Sequence, residues 1–402
     1  MARLKGVADS FLLHDRDILL RCDDSVVRPA AGRIRQVRRS RSFVPAPVEL
    51  RSEIPPVLAV GGELKNTICL ASGHSAFLSQ HIGDLENEES FAFFREAIEH
   101  LSRILEIAPE IIAYDLHPDY LSTKWALAQK GVRLVGVQHH HAHIASCMAE
   151  NGIDGRVIGF ALDGTGYGTD GNIWGGEALF AGYEGFERAA HFAYVPMPGG
   201  AAAIREPWRM AVSYLAVHFG TEFLARDIPF ARELDRKKTE TILRMIERGV
   251  NSPLTSSCGR LFDAVAALIG LRGEVNYEAQ AAMELETLAR ASSDFGAYPF
   301  DTRRANGCWE IGTRELFEAI IEDMSRNVPL DIISRRFHNG LTAVLAHLAC
   351  LLREESSLNR LCLSGGVFHN SLVLEQLIRD LEASEFEVFT HAHVPAGDGG
   401  LS

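Results

Sequence analysis

No stretch of this sequence approaches the roughly 20 consecutive apolar residues that a membrane-spanning helix requires. The opening residues, Met1 to Gly6, carry neither the apolar run nor the small-residue cleavage site of a signal peptide. The expected compartment is therefore the cytoplasm, with no membrane association. Cysteine is sparse and unpatterned: seven residues (22, 69, 147, 258, 308, 350 and 362), never spaced Cys-x-x-Cys. That argues against both a disulfide scaffold and a zinc ribbon. Positive charge is also short, with 40 Lys and Arg against 53 Asp and Glu and a formal net charge of −13. Generic attraction to a nucleic-acid backbone is disfavoured. One basic cluster exists, Arg33, Arg35, Arg38, Arg39 and Arg41, and by itself it reads as a solvated linker. The Gly-x-Ser-x-Gly context of a hydrolase nucleophile is missing around Ser364.

What is present is a balanced globular composition, 47% hydrophobic and 23% charged over 402 residues, enough for two or three cores. Residues 1 to about 45 read as short β segments, Ser10–His14 and Asp24–Arg28, too few to close a core alone. They look like the end of a domain whose beginning is missing. Pro45, Pro47, Pro55 and Pro56 mark a boundary, giving a linker over 46–55. From Val57 the pattern restarts as strand, Gly61-Gly62 turn and returning strand. A helix follows over 89–107, then strands at 111–115 and 133–137. A similar opening recurs at Val157–Asp163, with a glycine-rich turn over Gly164–Gly168 and a return at Gly176–Ala181. Two such starts predict a duplicated α/β architecture of two lobes, about 56–150 and 156–402, around a central cleft. Residues 205 to 350 are expected to be mainly helical. The ending after Gly400 carries no terminal helix, so the C-terminus also reads as cut.

Three segments could carry chemistry. His139 and His143, within Val137-Gln138-His139-His140-His141-Ala142-His143, share one face if the segment opens a helix. Two imidazoles so placed can meet one metal ion, although a polar helix start is the commoner meaning of such spacing. His140 and His141 should point elsewhere. Asp163 ends a buried strand before Gly164, Thr165, Gly166 and Gly168, where a turn could present N–H groups to phosphate and the carboxylate could hold a cation. A plain hairpin turn would need the same residues. Gly365 and Gly366 join a strand to a helix starting at Asn370, a place that suits a nucleotide or merely a tight connection. Asp398 would complete an N/O ligand set with His139, His143 and Asp163, better suited to iron or zinc than to magnesium. Cys147, one turn beyond His143, reads as a core position.

Several long strings make the pattern specific: Gly62-Glu63-Leu64-Lys65-Asn66-Thr67, Ser79 to Asn87, Val137 to His143, Leu162 to Gly168, Arg205 to Arg209, Asn251 to Asp263, and Pro395 to Gly400. Across essentially its whole length the chain resembles the HypF family of hydrogenase-maturation carbamoyltransferases. The resemblance implies the end of a YrdC-like domain (1–45) followed by a TsaD-like domain (56–402) of the actin/sugar-kinase/Hsp70 type. It implies transfer of a carbamoyl group from carbamoyl adenylate, made from carbamoyl phosphate and ATP, to the C-terminal cysteine of the partner HypE. That step leads to the cyanide ligands of nickel–iron hydrogenase. By match to the family pattern, His139, His143, Asp163 and Asp398 hold one divalent metal, iron or zinc, with magnesium as the remaining option. Residues His139, His143 and Asp163 would be catalytic. The Gly164–Gly168 loop, Gly365 and Gly366 would bind phosphate and adenosine, with Asp263 and Glu278 near the ribose and Asn370 close by. Two departures stand out: Ala201 where the family often has Asp after Pro-Gly-Gly, and Ala279 where it often has Gly after Tyr-Glu. The alternatives are a threonylcarbamoyl- or O-carbamoyltransferase, or a truncated module that binds nucleotide and partner without completing the reaction. The YrdC-like end ahead of the TsaD-like part favours the HypF order.

Overall fold

The computed structural model describes residues 5–13, 15–226 and 228–402. Residues 10–13 are irregular rather than a strand, and His14 lies outside the described residues. The first regular element is a hairpin of β1 (Val26–Ala30) and β2 (Arg33–Arg38). The first lobe contains β3 (Val48–Ala59), β4 (Cys69–Leu78), helix α1 (Glu88–Leu105), β5 (Ile111–Asp115), α2 (Leu121–Leu127) and β6 (Arg133–Val137). Helix α1 starts where Asn87 Oδ1 accepts the Ser90 N–H, with Glu88 and Glu89 in its first turn against the helix dipole. Helix α3 (His139–Glu150) then leads to β7 (Val157–Tyr167), β8 (Ile173–Gly182), β9 (Gly185–Phe192) and the short β10 (Val195–Pro196).

The helical stretch comprises α4 (Ala201–Arg205), α5 (Trp208–Phe219), α6 (Pro229–Glu233), α7 (Arg236–Arg248), α8 (Cys258–Leu268), α9 (Gln280–Ala291), α10 (Arg314–Ser325) and α11 (Leu330–Ser356). It is interrupted by β11 (Leu254–Thr255) and by a hairpin of β12 (Asp301–Ala305) and β13 (Cys308–Gly312), which the helical expectation missed. Parallel pairing of β13 with β9 extends the second-lobe sheet. The chain finishes with β14 (Arg360–Ser364), α12 (Ser371–Ala383), β15 (Glu387–Thr390) and a 3₁₀ turn over Asp398–Gly400.

Sheet order carries the duplication. The first lobe runs β4-β3-β5-β6 and the second contains β8-β7-β14-β15. In each, the first pair is antiparallel and the next two are parallel. The fold is thus the expected α/β architecture with two similar halves. Although α3 follows the first lobe directly in sequence, it packs across β7, β8 and β14 of the second sheet. Cys147 sits on its buried side with Ile144, Met148 and Cys362, as a core residue. Among the described residues, no helix is long and apolar enough to cross a membrane.

Two expectations change. Pro55 and Pro56 lie inside β3, not in a linker, at the irregularity between Ile54 and Val57 in the β3–β4 ladder. A proline has no N–H to donate, so it is tolerated where the ladder is already broken. The arginine cluster is only partly solvated: Arg33 and Arg41 are exposed, but Arg35 and Arg39 make inward contacts. Arg35 hydrogen-bonds Thr390 Oγ1 at 2.9 Å and the carbonyl of His391. Arg39 is buried and donates to the carbonyls of His393, Leu78, Phe43 and Ala46 at 2.6–3.3 Å. Arg28 adds a two-pronged pair with Glu286 on α9 at 2.7 and 3.1 Å. Arg28 and Arg35 dock the β1–β2 hairpin onto the second lobe, and Arg39, just after β2, ties the following loop to both lobes through Leu78 and His393. Arg39→Ala would strand four carbonyls and is expected to destabilise the chain by about 3 kcal/mol. Urea unfolding measures this, and a loss below about 1 kcal/mol would show that the loop is not tied down through Arg39.

Candidate metal centre and adjoining cleft

Gln138 caps α3 by accepting the His141 N–H, which fixes the helix start immediately before His139. His139 and His143 then lie one turn apart on one face, their rings 5.0 Å apart. His140 turns toward Trp174, and His141 Nε2 meets the Gly182 carbonyl at 2.7 Å.

Asp163 lies in β7, beside an irregularity between Leu162 and Gly166 in the ladder with β8. The predicted glycine turn is therefore extended strand as far as Tyr167. Its glycines are required by close packing rather than by a turn. A Cβ on Gly166 would come within 2.4 Å of the His140 ring and 2.7 Å of His139, and one on Gly168 within 2.2 Å of Trp174. Gly164 is more open and Thr165 is half-buried. Asp398 arrives from the far end of the chain on the terminal 3₁₀ turn.

The four side chains converge. One ligand atom from each of His139, His143, Asp163 and Asp398 lies within 4.8 Å of the others, and all four residues are buried. His143 Nε2 is 3.1 Å from Asp163 Oδ2 and 3.7 Å from Asp398 Oδ1; the same distances from His139 Nε2 are 3.5 and 3.8 Å. The N–H groups of Gly164 and Gly366 donate to Asp163 Oδ1, which leaves Oδ2 for the cluster. Behind His139, its Nδ1–H donates to Asp115 Oδ2 at 2.8 Å. A carboxylate can only accept, so the Nδ1 proton is fixed there and Nε2 is the nitrogen aimed at the cluster, free to bind an ion once its own proton is displaced. Among the described residues that nitrogen is buried without a hydrogen-bond partner.

The charges press in the same direction. Burial opposes protonation of His139, yet Asp115 and Asp163 hold it well above the usual histidine range. His143 is likewise raised against burial by Asp163 and Asp398. Burial would lift the Asp163 carboxyl, but the two rings hold it well below its ordinary value. Two carboxylates in so dry a space need a positive partner. Two Nε2 atoms and two carboxylate oxygens fit a divalent ion of the iron or zinc kind.

The nucleotide-site candidates are more dispersed. Gly365, at φ 105°, approaches the β7 backbone so closely that a Cβ would lie 2.2 Å from the Leu162 carbonyl oxygen. A Cβ on Gly366 would reach 2.8 Å from Asp163 Oδ1, so both glycines let β14 close on the Asp163 strand. Asn370 caps α12, accepting the N–H groups of Leu372 and Val373 while its amide donates to His338 Nε2 at 3.0 Å. Asp263 is buried on α8 beside Arg260, 3.0 Å away, and burial pushes its carboxyl up to about 6 against that charge. It does not join the four-residue cluster. Glu278 pairs with Lys65 Nζ at 2.6 Å. Burial opposes the Lys65 charge, but Glu278 and then Asp398 hold its ammonium above the ordinary value. The Ala279 departure has a conformational cost: its φ is 59°, left-handed backbone that favours glycine. Ala201 opens α4, which has no side-chain cap.

Asp115 and Lys65 were missed as site residues. The signal for Asp115 was available: an acidic residue ending a short apolar strand of the first lobe.

His338, the partner of Asn370, is pushed down to about 4 by burial. Its unfolded form titrates near 6.5, so the unfolded chain takes up a proton first as pH falls and stability drops between pH 6.5 and 4. His338→Gln is expected to flatten the pH dependence of urea-unfolding stability in that window, by up to about 1.4 kcal/mol per pH unit. An unchanged slope would contradict a buried neutral His338.

Known proteins share this arrangement of sequence and fold. A family model described as the HypF Kae1-like domain matches residues 52–150. A second, the Kae1-like domain of carbamoyltransferase, second subdomain, matches residues 159–402. Carbamoyltransferase HypF2 of Cupriavidus necator is 40% identical, aligning with 100% of this chain and 52% of its own length. HypF of Rhizobium leguminosarum is also 40% identical, over 100% of this chain and 51% of its own. A shorter HypF homolog of Cupriavidus necator is 35% identical over 87% of this chain and 90% of its own. The chain thus spans about half the length of the first two relatives. A crystal structure of full-length HypF in the phosphate- and nucleotide-bound form superposes with a TM-score of 0.94 at 44% identity, over 99% of this chain and 62% of that one. The structure of HypF from T. kodakarensis gives 0.90 at 39% identity, over 99% and 52%.

Proposed function

This chain belongs to the HypF family of carbamoyltransferases, and from that premise we propose that its cleft passes a carbamoyl group from carbamoyl adenylate to the C-terminal cysteine of HypE. In this reading residues 1 to about 45 are the end of the YrdC-like domain, which makes the adenylate from carbamoyl phosphate and ATP. Residues 56–402 are the transferring domain. The observation that carries the proposal is the convergence of His139, His143, Asp163 and Asp398 from two halves of the chain, with His139 Nε2 left bare.

The chemistry suits such a site. A carbamoyl–phosphate mixed anhydride is an activated acyl donor and a thiolate is a strong nucleophile. The sulfur–carbon bond forms as the carbon–oxygen bond to phosphate breaks, and AMP leaves with the electron pair. A divalent ion held by the four residues would supply positive charge beside the phosphate as charge develops on the leaving oxygen. Asp115 keeps His139 in the tautomer that presents Nε2. Gly164 and Gly366 orient Asp163. Lys65 provides a second cation whose present partner, Glu278, is half-exposed and accessible to ribose hydroxyls. The adenosine would border Gly365 and Gly366. Support for a nucleotide comes from the related full-length HypF, whose crystal form contains phosphate and nucleotide.

A second reading has one observation in its favour, that the chain spans about half of its longer relatives: a module that binds nucleotide and partner without completing transfer. Mass spectrometry of HypE after incubation with this chain, the metal and preformed carbamoyl adenylate separates the two. Transfer predicts a carbamoyl mass on the terminal cysteine, lost in the His139→Ala/His143→Ala variant together with the bound iron or zinc. Unmodified HypE with the wild-type chain would leave the binding-module reading.

A further inference from the structure

A chain of buried polar contacts runs from the back of His143 into the C-terminal part of the second lobe. His143 Nδ1 is 3.3 Å from Ser364 Oγ, the last residue of β14. Ser364 Oγ is 2.8 Å from His391 Nε2. His391 Nδ1 is 2.9 Å from Glu150 Oε2, at the end of α3. The other Glu150 oxygen accepts the backbone N–H groups of Ala392 and His393. His143, Ser364 and His391 are buried, and the Glu150 carboxyl is almost wholly enclosed against His391. The β1–β2 hairpin and the loop after it close the outside, with Arg35 on the His391 carbonyl and Arg39 on that of His393.

Donors and acceptors along this chain can be ordered in one direction. The Glu150 carboxylate accepts at both oxygens, so His391 must carry its proton on Nδ1, leaving Nε2 as an acceptor. The Ser364 hydroxyl donates to that Nε2, the shortest of its contacts; the Ala396 carbonyl is 3.3 Å away. Having given its proton to His391, Ser364 Oγ can only accept from His143. His143 then carries a proton on Nδ1, and Nε2, 3.1 Å from Asp163 Oδ2 and 3.7 Å from Asp398 Oδ1, is the nitrogen that would turn its lone pair to the ion. We infer that Ser364, His391 and Glu150 are positioning residues that fix the tautomer and ring orientation of His143 for the metal. This rests on the metal reading proposed above and deepens it.

The two proposed ligands of α3 are thereby set by different devices. His139 is backed directly by the Asp115 carboxylate of the first lobe. His143 is backed by a neutral hydroxyl whose polarity is decided two links further on, by Glu150. Outer-shell partners of this kind typically change metal affinity 10- to 100-fold when removed.

The test is Co²⁺ titration of the full chain, followed by its visible absorption band, with ¹⁵N NMR of the metal-free protein to read the His391 tautomer. Ser364→Ala is expected to weaken Co²⁺ binding about 10- to 100-fold and alter the band, and Ser364→Thr, which keeps the hydroxyl, restores both. Glu150→Gln keeps the shape, but its one oxygen is needed by Ala392 and His393, so its amide faces His391 Nδ1. That variant is expected to move the His391 proton to Nε2 and to weaken Co²⁺ to a lesser degree. It also serves if the threonine methyl disrupts folding. Wild-type Co²⁺ affinity in both Ser364→Ala and Glu150→Gln, or a wild-type His391 protonated on Nε2, would overturn the inference. A wild-type chain that binds no Co²⁺ while His391 carries its proton on Nδ1 would instead overturn the metal reading, and the positioning role with it.

Discussion

Two carboxylates held in a nearly dry space govern this architecture. Burial penalises the charge of Asp163, and the two histidine rings beside it hold its carboxyl ionised. The fold answers by aiming two imidazole nitrogens at the carboxylates from successive turns of α3. Everything near the site serves that arrangement. The Gln138 cap fixes where α3 begins, the glycines of β7 allow the helix to press against the strand, and Gly365 lets β14 close on Asp163. The terminal 3₁₀ turn brings in Asp398 and is tied to α3 by the Ser146 hydroxyl on the Gly400 carbonyl.

Duplication explains why the site lies between the halves. Each half offers a carboxylate from a central strand, Asp115 at the end of β5 and Asp163 within β7, and α3 links the two halves while packing on the second sheet. His139 therefore touches both, bonded to Asp115 on one side and open to Asp163 on the other. Further closures join the halves: Thr67 with Gly399 and Ser402, and Lys65 with Glu278. Relative movement of the lobes would have to disturb these contacts, and Lys65 and Glu278 are the most solvent-exposed pair among them.

Much of this was legible in the sequence where the signal was local. Strands 111–115 and 133–137 have the expected boundaries, because short apolar runs there are flanked by turn residues. The His-x-x-x-His spacing gave a shared face because the segment does open a helix. Other features depend on partners far along the chain. Arg35 and Arg39 look solvated until their acceptors, some 350 residues away, are brought alongside. Glu150 and His391 are 241 residues apart, with no pattern linking them. The Gly164–Gly168 string misled because glycine serves equally in a turn and in a strand crowded by another helix. Pro55 and Pro56 misled because a strand tolerates proline where its ladder is already irregular.

The central claim is that the two histidines and two aspartates form one metal centre. X-ray diffraction at the iron or zinc absorption edge, on crystals of the metal-loaded chain, tests it directly. A single strong anomalous peak is expected, bonded to Nε2 of His139 and His143 and to one oxygen each of Asp163 and Asp398, at distances of about 2.0–2.2 Å. No peak between these residues in metal-loaded crystals, or a peak held by other side chains, would contradict it.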